Sequence, residues 1–270
     1  LRFAWEMDAP AIAAAFDGDD HAPEPLSEAE RHGLARDLSE APASVQADIP
    51  AWLEPSLRRL FGDDLIVEGR GFAARAPVDL RVNTLKATRE KALAAMAGKL
   101  TAEASDLVFD AVRLPGEDPR AKAPPADKIP AYGKGWVEVQ DLGSQIAALA
   151  AGDVQGAQVL DYCAGAGGKT LALAALMANT GQLYAWDYDW RRLRAIFPRL
   201  DRAGARNVQV KDGKREEALA GLEAKMDVVF ADAPCTGSGT WRRRPDSKWR
   251  VSEKALHTRQ DPASHIEQAL

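Results

Sequence analysis

Three features of the sequence predict an α/β fold with a Rossmann-like parallel sheet. From residue 158 onward, short apolar runs alternate with helical patterns, the βαβ rhythm that builds such a sheet. The first run ends in a glycine-rich turn, Asp161-Tyr-Cys-Ala-Gly-Ala-Gly-Gly-Lys-Thr170, and a helical pattern follows it directly. An acid, Asp187, closes the second run, about 20 residues past the glycines, where a carboxylate can take ribose hydroxyls. A small α+β module is expected ahead of this domain, and an N-terminal helical segment ahead of that. The expected boundaries are residues 1–62 for the helical segment, 63–140 for the α+β module and 141–270 for the Rossmann-like domain. That domain reads as incomplete, because the series stops after its fourth strand.

Taken in order, the N-terminal segment carries the acidity. Residues 1–50 hold eleven acids and three arginines, −8 in all, so a chain of net charge −5 is +3 over the remainder. Ser27 and Glu30 form a capping box ahead of an expected helix Arg31–Ser39. A second helical stretch runs from Trp52 to Phe61. In the α+β module, Asp79-Leu-Arg-Val-Asn-Thr-Leu-Lys86 alternates like a strand and Arg89–Leu100 reads as a helix. Pro115–Pro130 is rich in proline and charge and reads as an exposed loop. Trp136–Val139 is a short strand, with Asp141 or Ser144 as a cap for the helix that follows. The Rossmann-like series comprises strands Gln158–Tyr162, Gln182–Asp187, Val208–Lys211 and Met226–Ala231. Helices are expected at Lys169–Met177, Trp190–Ala203 and Glu216–Leu222.

Composition narrows the class. Hydrophobic content of 46% with 28% charged residues is ordinary for a globular protein. No apolar run is long enough to span a bilayer and no signal peptide is visible. Two cysteines, Cys163 and Cys235, cannot build a disulfide framework, so a reduced, cytoplasmic setting is expected. No membrane partner and no metal site are expected.

The glycine turn excludes two common nucleotide motifs. Gly168-Lys169-Thr170 resembles the end of a P-loop, but the first glycine of that motif would fall on Cys163. A dinucleotide fingerprint counted from Gly165 and Gly167 needs a glycine at Thr170. What remains suits an adenosyl ligand without a phosphate, with S-adenosylmethionine the leading candidate. A second motif, Asp232-Ala-Pro-Cys-Thr-Gly-Ser-Gly239, follows the fourth strand. Ligands of open α/β sheets bind at the carboxyl ends of the strands, so Asp232, Cys235 and the glycine turn are expected to share one crevice. A carboxylate and a thiol three residues apart suit proton handling and nucleophilic addition. The run Thr240-Trp-Arg-Arg-Arg-Pro-Asp-Ser-Lys-Trp-Arg250 interleaves tryptophans with cations, a pattern fit for phosphates and stacked bases.

These pieces together resemble the RNA cytosine-5 methyltransferases of the RsmB/Sun/Nop family. The matching stretches are Leu80–Lys86, Val139–Gln145, Asp161–Thr170, Asp232–Gly239 and Arg242–Asp246, in the family's order over roughly residues 50–250. The resemblance implies S-adenosylmethionine as cofactor, held by Cys163, Ala164, Gly165, Ala166, Gly167, Gly168 and Lys169 with Asp187, Arg192, Asp212 and Asp232. It implies RNA, ribosomal RNA in particular, as the partner of a monomeric chain. Arg81, Asn83 and Lys86 of the α+β module would face that RNA, with Arg242, Arg243, Arg244 and Lys248. In the implied reaction a cysteine thiolate adds to carbon-6 of cytosine, carbon-5 takes the methyl group, and loss of the carbon-5 proton eliminates the cysteine. Asp232 would hydrogen-bond the pyrimidine and Cys235 would assist product release.

The sequence departs from the family in one respect. The family's nucleophile is a second active-site cysteine in a Thr-Cys motif after the next strand, and this chain has no third cysteine. Either further sequence supplies it, which is the reading we favour, or Cys235 attacks, as the Pro-Cys cysteine does in DNA cytosine-5 methyltransferases. A DNA enzyme and a catalytically silent RNA-binding or assembly factor that keeps the cofactor pocket are the competing readings. An adenine-N6 enzyme lacks its expected aromatic residue around Pro234.

Overall fold

The capping box at Ser27 forms as expected. Glu30 N–H reaches Ser27 Oγ, and Ser27 N–H reaches the Glu30 carboxylate at 2.8 Å. An N-cap is followed at once by helix, so this helix spans Glu28–Leu34 and not Arg31–Ser39. It ends early because the Asp37 carboxylate accepts from Ser39 N–H at 2.9 Å and turns the chain. This is a computed structural model, and it describes residues 7–19, 23–115, 125–211, 218–233 and 235–260.

Two units divide the chain. The first comprises residues 1–76 together with 235–261. Its helices include Ala43–Gln46, Glu54–Phe61 and Leu65–Ala73, with Ser247–Arg250 and Glu253–Gln260 from the later segment. Ala47, Ile49 and Leu65 form its buried centre, with Leu57 and Phe61 packed against them. Gly69 lets the helix Leu65–Ala73 lie against the chain at Ala47: a Cβ there would meet the Ala47 side chain at 2.5 Å. The later segment joins this core through Trp241, whose ring stands edge-on to Phe72 at 5.7 Å. Arg242 donates to the Arg75 carbonyl at 2.8 Å.

The second unit runs from Pro77 to Pro234 and holds two sheets. The first is antiparallel in the order β2-β3-β1-β4, with β1 Val78–Val82, β2 Glu103–Ala104, β3 Ala111–Leu114 and β4 Val137–Val139. A helix, Arg89–Met96, capped by Thr88, covers it, and Leu80, Val82, Met96, Val112 and Val137 fill the space between. β1 stops at Val82 and does not run on to Lys86. Asn83 ends it, donating its amide to the Gly135 and Ala203 carbonyls at 2.9 and 2.8 Å and accepting from Leu85 N–H.

The second sheet is parallel throughout, in the order β7-β6-β5-β8. Its strands are β5 Gln158–Asp161, β6 Gln182–Trp186, β7 Val208–Lys211 and β8 Val228–Phe230. Strand order therefore reverses between β5 and β8, the switch point where a doubly wound sheet opens a ligand crevice. This is the Rossmann-like fold. The expected helix Trp190–Ala203 is interrupted by a 3₁₀ turn at Arg194–Ile196. Pro198 lacks an N–H and sits in the first turn of the second piece, Phe197–Ala203, so the chain restarts its helix there. The start of the expected helix Glu216–Leu222 and the stretch after Gln260 lie outside the described residues. No helix among the described residues is long and apolar enough to cross a membrane.

Candidate functional site

The site forms where β5 and β6 end. Gly165 and Gly167 take φ of +54° and +87°, conformations that side-chain-bearing residues rarely adopt. A Cβ on Gly167 would stand 2.3 Å from Ile196 Cγ1, so packing as well as φ demands glycine there. Nothing lies within 4 Å of a Cβ built on Gly168, which leaves the entry of the helix Gly168–Leu176 open to a ligand. Asp187, one residue past β6, is buried, accepting from Gly165 N–H and Asp189 N–H, each at 2.8 Å. A carboxylate offers about four acceptor positions, so two remain for ribose hydroxyls. The Arg192 guanidinium lies beside the turn, 3.1 Å from the position of a Gly165 Cβ.

Lys169, at the start of the helix, reaches across the switch point to Asp232 beyond β8, with Nζ–Oδ2 at 2.5 Å. The glycine turn and the second motif's acid are thus brought together. Cys163 is half-buried and its thiol is pushed up to about 11, by burial first and then by Asp187, Asp161 and Asp232, with Arg192 opposing. It stays a neutral thiol at physiological pH. Ala164 is buried and donates its N–H to the Trp186 carbonyl, while Ala166 is exposed. Asp212 lies outside the described residues. Cys235 belongs to the first unit, is exposed, and accepts from Gly237 N–H at 3.4 Å.

Three groups that matter here were missed in the sequence reading. Asp161 is fully buried, accepts from Thr170 Oγ1 at 2.7 Å, and leaves its Oδ1 without a partner. Burial raises its carboxyl to about 7. An acid closing the first strand of a parallel sheet, directly before glycines, was the signal that could have found it. Arg199 holds the turn from outside, donating to the Ala166 carbonyl at 2.7 Å and to Glu138 at 3.1 Å. Gln140 donates to the Gly168 carbonyl at 3.3 Å. Gln140 falls within the matching stretch Val139–Gln145, whereas no local pattern marks Arg199.

Several expected RNA contacts are placed elsewhere. Arg81 and Asn83 are buried, the first bonded through Nε to Gln140 at 2.7 Å, the second spent on ending β1. Both side chains lie inside the unit and not on its outer surface. Lys86 is exposed, with Nζ on the Arg202 carbonyl at 2.9 Å. Lys248 is fully buried against Asp48, with Nζ–Oδ2 at 2.5 Å, which corrects its reading as a phosphate contact. Trp241 is buried too, whereas Trp249, Arg242, Arg243 and Arg244 are exposed.

Comparison with known proteins agrees with this layout. The family described as 16S rRNA methyltransferase RsmB/F matches residues 148–269. Ribosomal RNA small subunit methyltransferase B from Enterobacter sp. (strain 638) is 32% identical over 212 residues, 77% of this chain and 47% of that protein. Its counterpart in Escherichia coli O6:K15:H31 is 35% identical over 203 residues, 74% of this chain and 45% of that one. The chain thus spans about half the length of the curated relatives it matches. A methyltransferase homologue of known structure from Pyrococcus horikoshii superposes with a TM-score of 0.62 at 27% identity, over 73% of this chain and 63% of that one. NSun6 from the same organism shares the fold, with a TM-score of 0.68 at 19% identity over 82% of this chain and 79% of its own. The residues present fit S-adenosylmethionine: an open helix entry after positive-φ glycines, a strand-end acid with spare acceptors, and an orphaned buried carboxylate oxygen at Asp161. The glycine turn, the Asp232 motif, the strand order and these relatives agree, and over residues 148–269 the chain is similar to the family described as 16S rRNA methyltransferase RsmB/F.

Proposed function

We propose that the chain carries the cofactor site of an RNA cytosine-5 methyltransferase acting on small-subunit ribosomal RNA. The observation that carries this reading is the Lys169–Asp232 pair, which joins the glycine turn to the acid of the second motif across the switch point. S-adenosylmethionine supplies an electrophilic methyl group when bound. Asp187 takes ribose hydroxyls, and the turn from Cys163 to Lys169 lies along the cofactor. Lys169 Nζ holds Asp232 in place, and the Asp232 carboxylate accepts a hydrogen bond from the pyrimidine. Cys163, a neutral thiol, is unsuited to attack carbon-6, since the thiolate is the nucleophile. Cys235 is assigned to product release, as the family resemblance implies. Arg242, Arg243 and Arg244 are exposed, and we assign them to RNA phosphates. The setting we assign is cytoplasmic, with the chain acting as a monomer.

The test uses the full reading frame and small-subunit ribosomal RNA. Labelled methyl transfer, followed by nucleoside mass spectrometry, is expected to yield 5-methylcytosine. A methylated adenine or guanine as the sole product overturns the base assignment. With RNA containing 5-fluorocytosine, Cys235→Ser is expected to retain the covalent adduct and let it accumulate. Loss of the adduct would make Cys235 the attacking residue. The 270-residue chain alone is expected to transfer no methyl group.

A further inference from the structure

A second pocket, of about 100 Å³, lies in the Pro77–Pro234 unit, past the glycine turn. Arg81 lines it from β1, Asp110 from the turn before β3, Gln145 and Leu149 from the helix Leu142–Leu149, and Ala172 and Ala175 from the helix Gly168–Leu176. Ala172 and Ala175 stand about 6 and 10 Å along the helix axis beyond Gly168 at the usual rise, so the pocket begins after the turn and is linked to it through Arg81, Gln140 and the Gly168 carbonyl. Its polar atoms are unusual. Arg81 is 7% exposed, yet only its Nε is spent, and Nη1 is buried without a partner. Gln145 donates through Nε2 to the Gln140 carbonyl at 2.9 Å, and its Oε1 is also buried without a partner. Native folds seldom leave such groups unmatched, and each calls for an explanation. The residues lining this one pocket thus include an unused buried donor, an unused buried acceptor and the Asp110 carboxyl, between aliphatic side chains. At the rim Phe109 is exposed, with the Arg89 guanidinium 4.6 Å from its ring centre.

We propose that this pocket takes a guanine base of the RNA substrate. The proposal rests on the RNA-methylation reading above. Arginine pairs with the O6/N7 edge of guanine, the commonest specific contact of this kind. A carboxylate is best met by two adjacent N–H groups, and guanine alone among the four bases presents such a pair, at N1 and N2. Gln145 Oε1 provides the further acceptor. A flat base between Leu149 and Ala175 is in keeping with the recognition of unstacked single-stranded bases on their edges. Arg81 would thus read a base from inside the fold.

The test titrates the 270-residue chain with guanosine, inosine, adenosine, cytidine and uridine 5′-monophosphates, read by saturation-transfer NMR. Guanosine monophosphate is expected to bind at least fivefold better than the pyrimidine nucleotides, and better than the inosine form, which lacks the N2 amino group. Asp110→Asn is expected to weaken it about tenfold, the size of one hydrogen bond to a charged group. Ala175→Phe, which fills the pocket, is expected to abolish binding. Both variants keep the parent's affinity for S-adenosylhomocysteine, which shows that the fold and the cofactor site are intact. Equal binding of all five nucleotides, or guanosine monophosphate binding unchanged in Asp110→Asn, overturns the proposal. Retention of ribosomal RNA is measured separately on the same variants. Guanine binding without RNA retention leaves the pocket standing and removes the RNA reading, whereas RNA retention without guanine preference removes the pocket.

Discussion

Asp161→Asn should change how stability depends on pH, and the structure supplies the size of the change. The Asp161 carboxyl is fully buried and raised from 3.8 to about 7, chiefly by burial, opposed first by the Thr170 hydroxyl, with Asp232 raising it further. Its folded-state value lies above its unfolded one. Between those values the native state keeps a proton that the unfolded chain has lost, so stability falls as pH rises. The group's contribution is whole below about 3.8 and is lost by about 7. At about 1.36 kcal/mol per pH unit the full loss is about 4 kcal/mol. Asparagine keeps the shape and an acceptor for Thr170 but does not titrate. Urea denaturation of both proteins at pH 5, 6, 7 and 8 is the assay. From pH 5 to 7 the variant should gain about 2–3 kcal/mol relative to the parent. Curves that run parallel across this range would refute the argument and show Asp161 ionised in the folded state throughout.

Other outcomes follow from the geometry. Asp48→Asn should cost roughly 2–3 kcal/mol in urea unfolding, because it strands the buried Lys248 amine, whereas Lys248→Met should cost less; the reverse order would show that the amine finds water. Gly167→Ala forces a Cβ against Ile196 at 2.3 Å and a strained φ of +87°, so stability should drop by about 1–3 kcal/mol. Calorimetry should show S-adenosylhomocysteine binding at least tenfold weaker in that variant, and unchanged affinity would free the turn from its assigned role. Iodoacetamide followed by peptide mass spectrometry should label exposed Cys235 well before Cys163, whose thiol is pushed up to about 11; faster labelling of Cys163 would contradict its neutral, sheltered state.

Much of the parallel sheet was legible because its signals are local. β7 falls on the expected Val208–Lys211, and the other three strands differ only at their ends. The glycine turn and Asp187 announce themselves by spacing alone. What was illegible depends on partners far away in sequence. A run of cations reads as a face for phosphates, and only Asp48, two hundred residues earlier, reveals that Lys248 is interior. Arg81 and Asn83 look like surface polar residues until Gln140 and the Ala203 carbonyl arrive beside them. The ionisation of Asp161 is likewise a property of burial, which no spacing encodes.

The division of the chain also bears on the order in which it folds. The first unit is discontinuous, and the whole of Pro77–Pro234 is inserted between its two parts. Bringing Trp241 to Phe72 from an unfolded chain closes a loop of that length, at an entropic cost of roughly 4–5 kcal/mol. Folding the inserted unit first fixes the separation of its own ends and removes most of that cost. The helical unit is therefore expected to be the late-folding partner, its assembly gated by the sheets. A destabilising change in the parallel sheet would then slow the docking of Trp241 and Lys248, though neither residue belongs to that sheet.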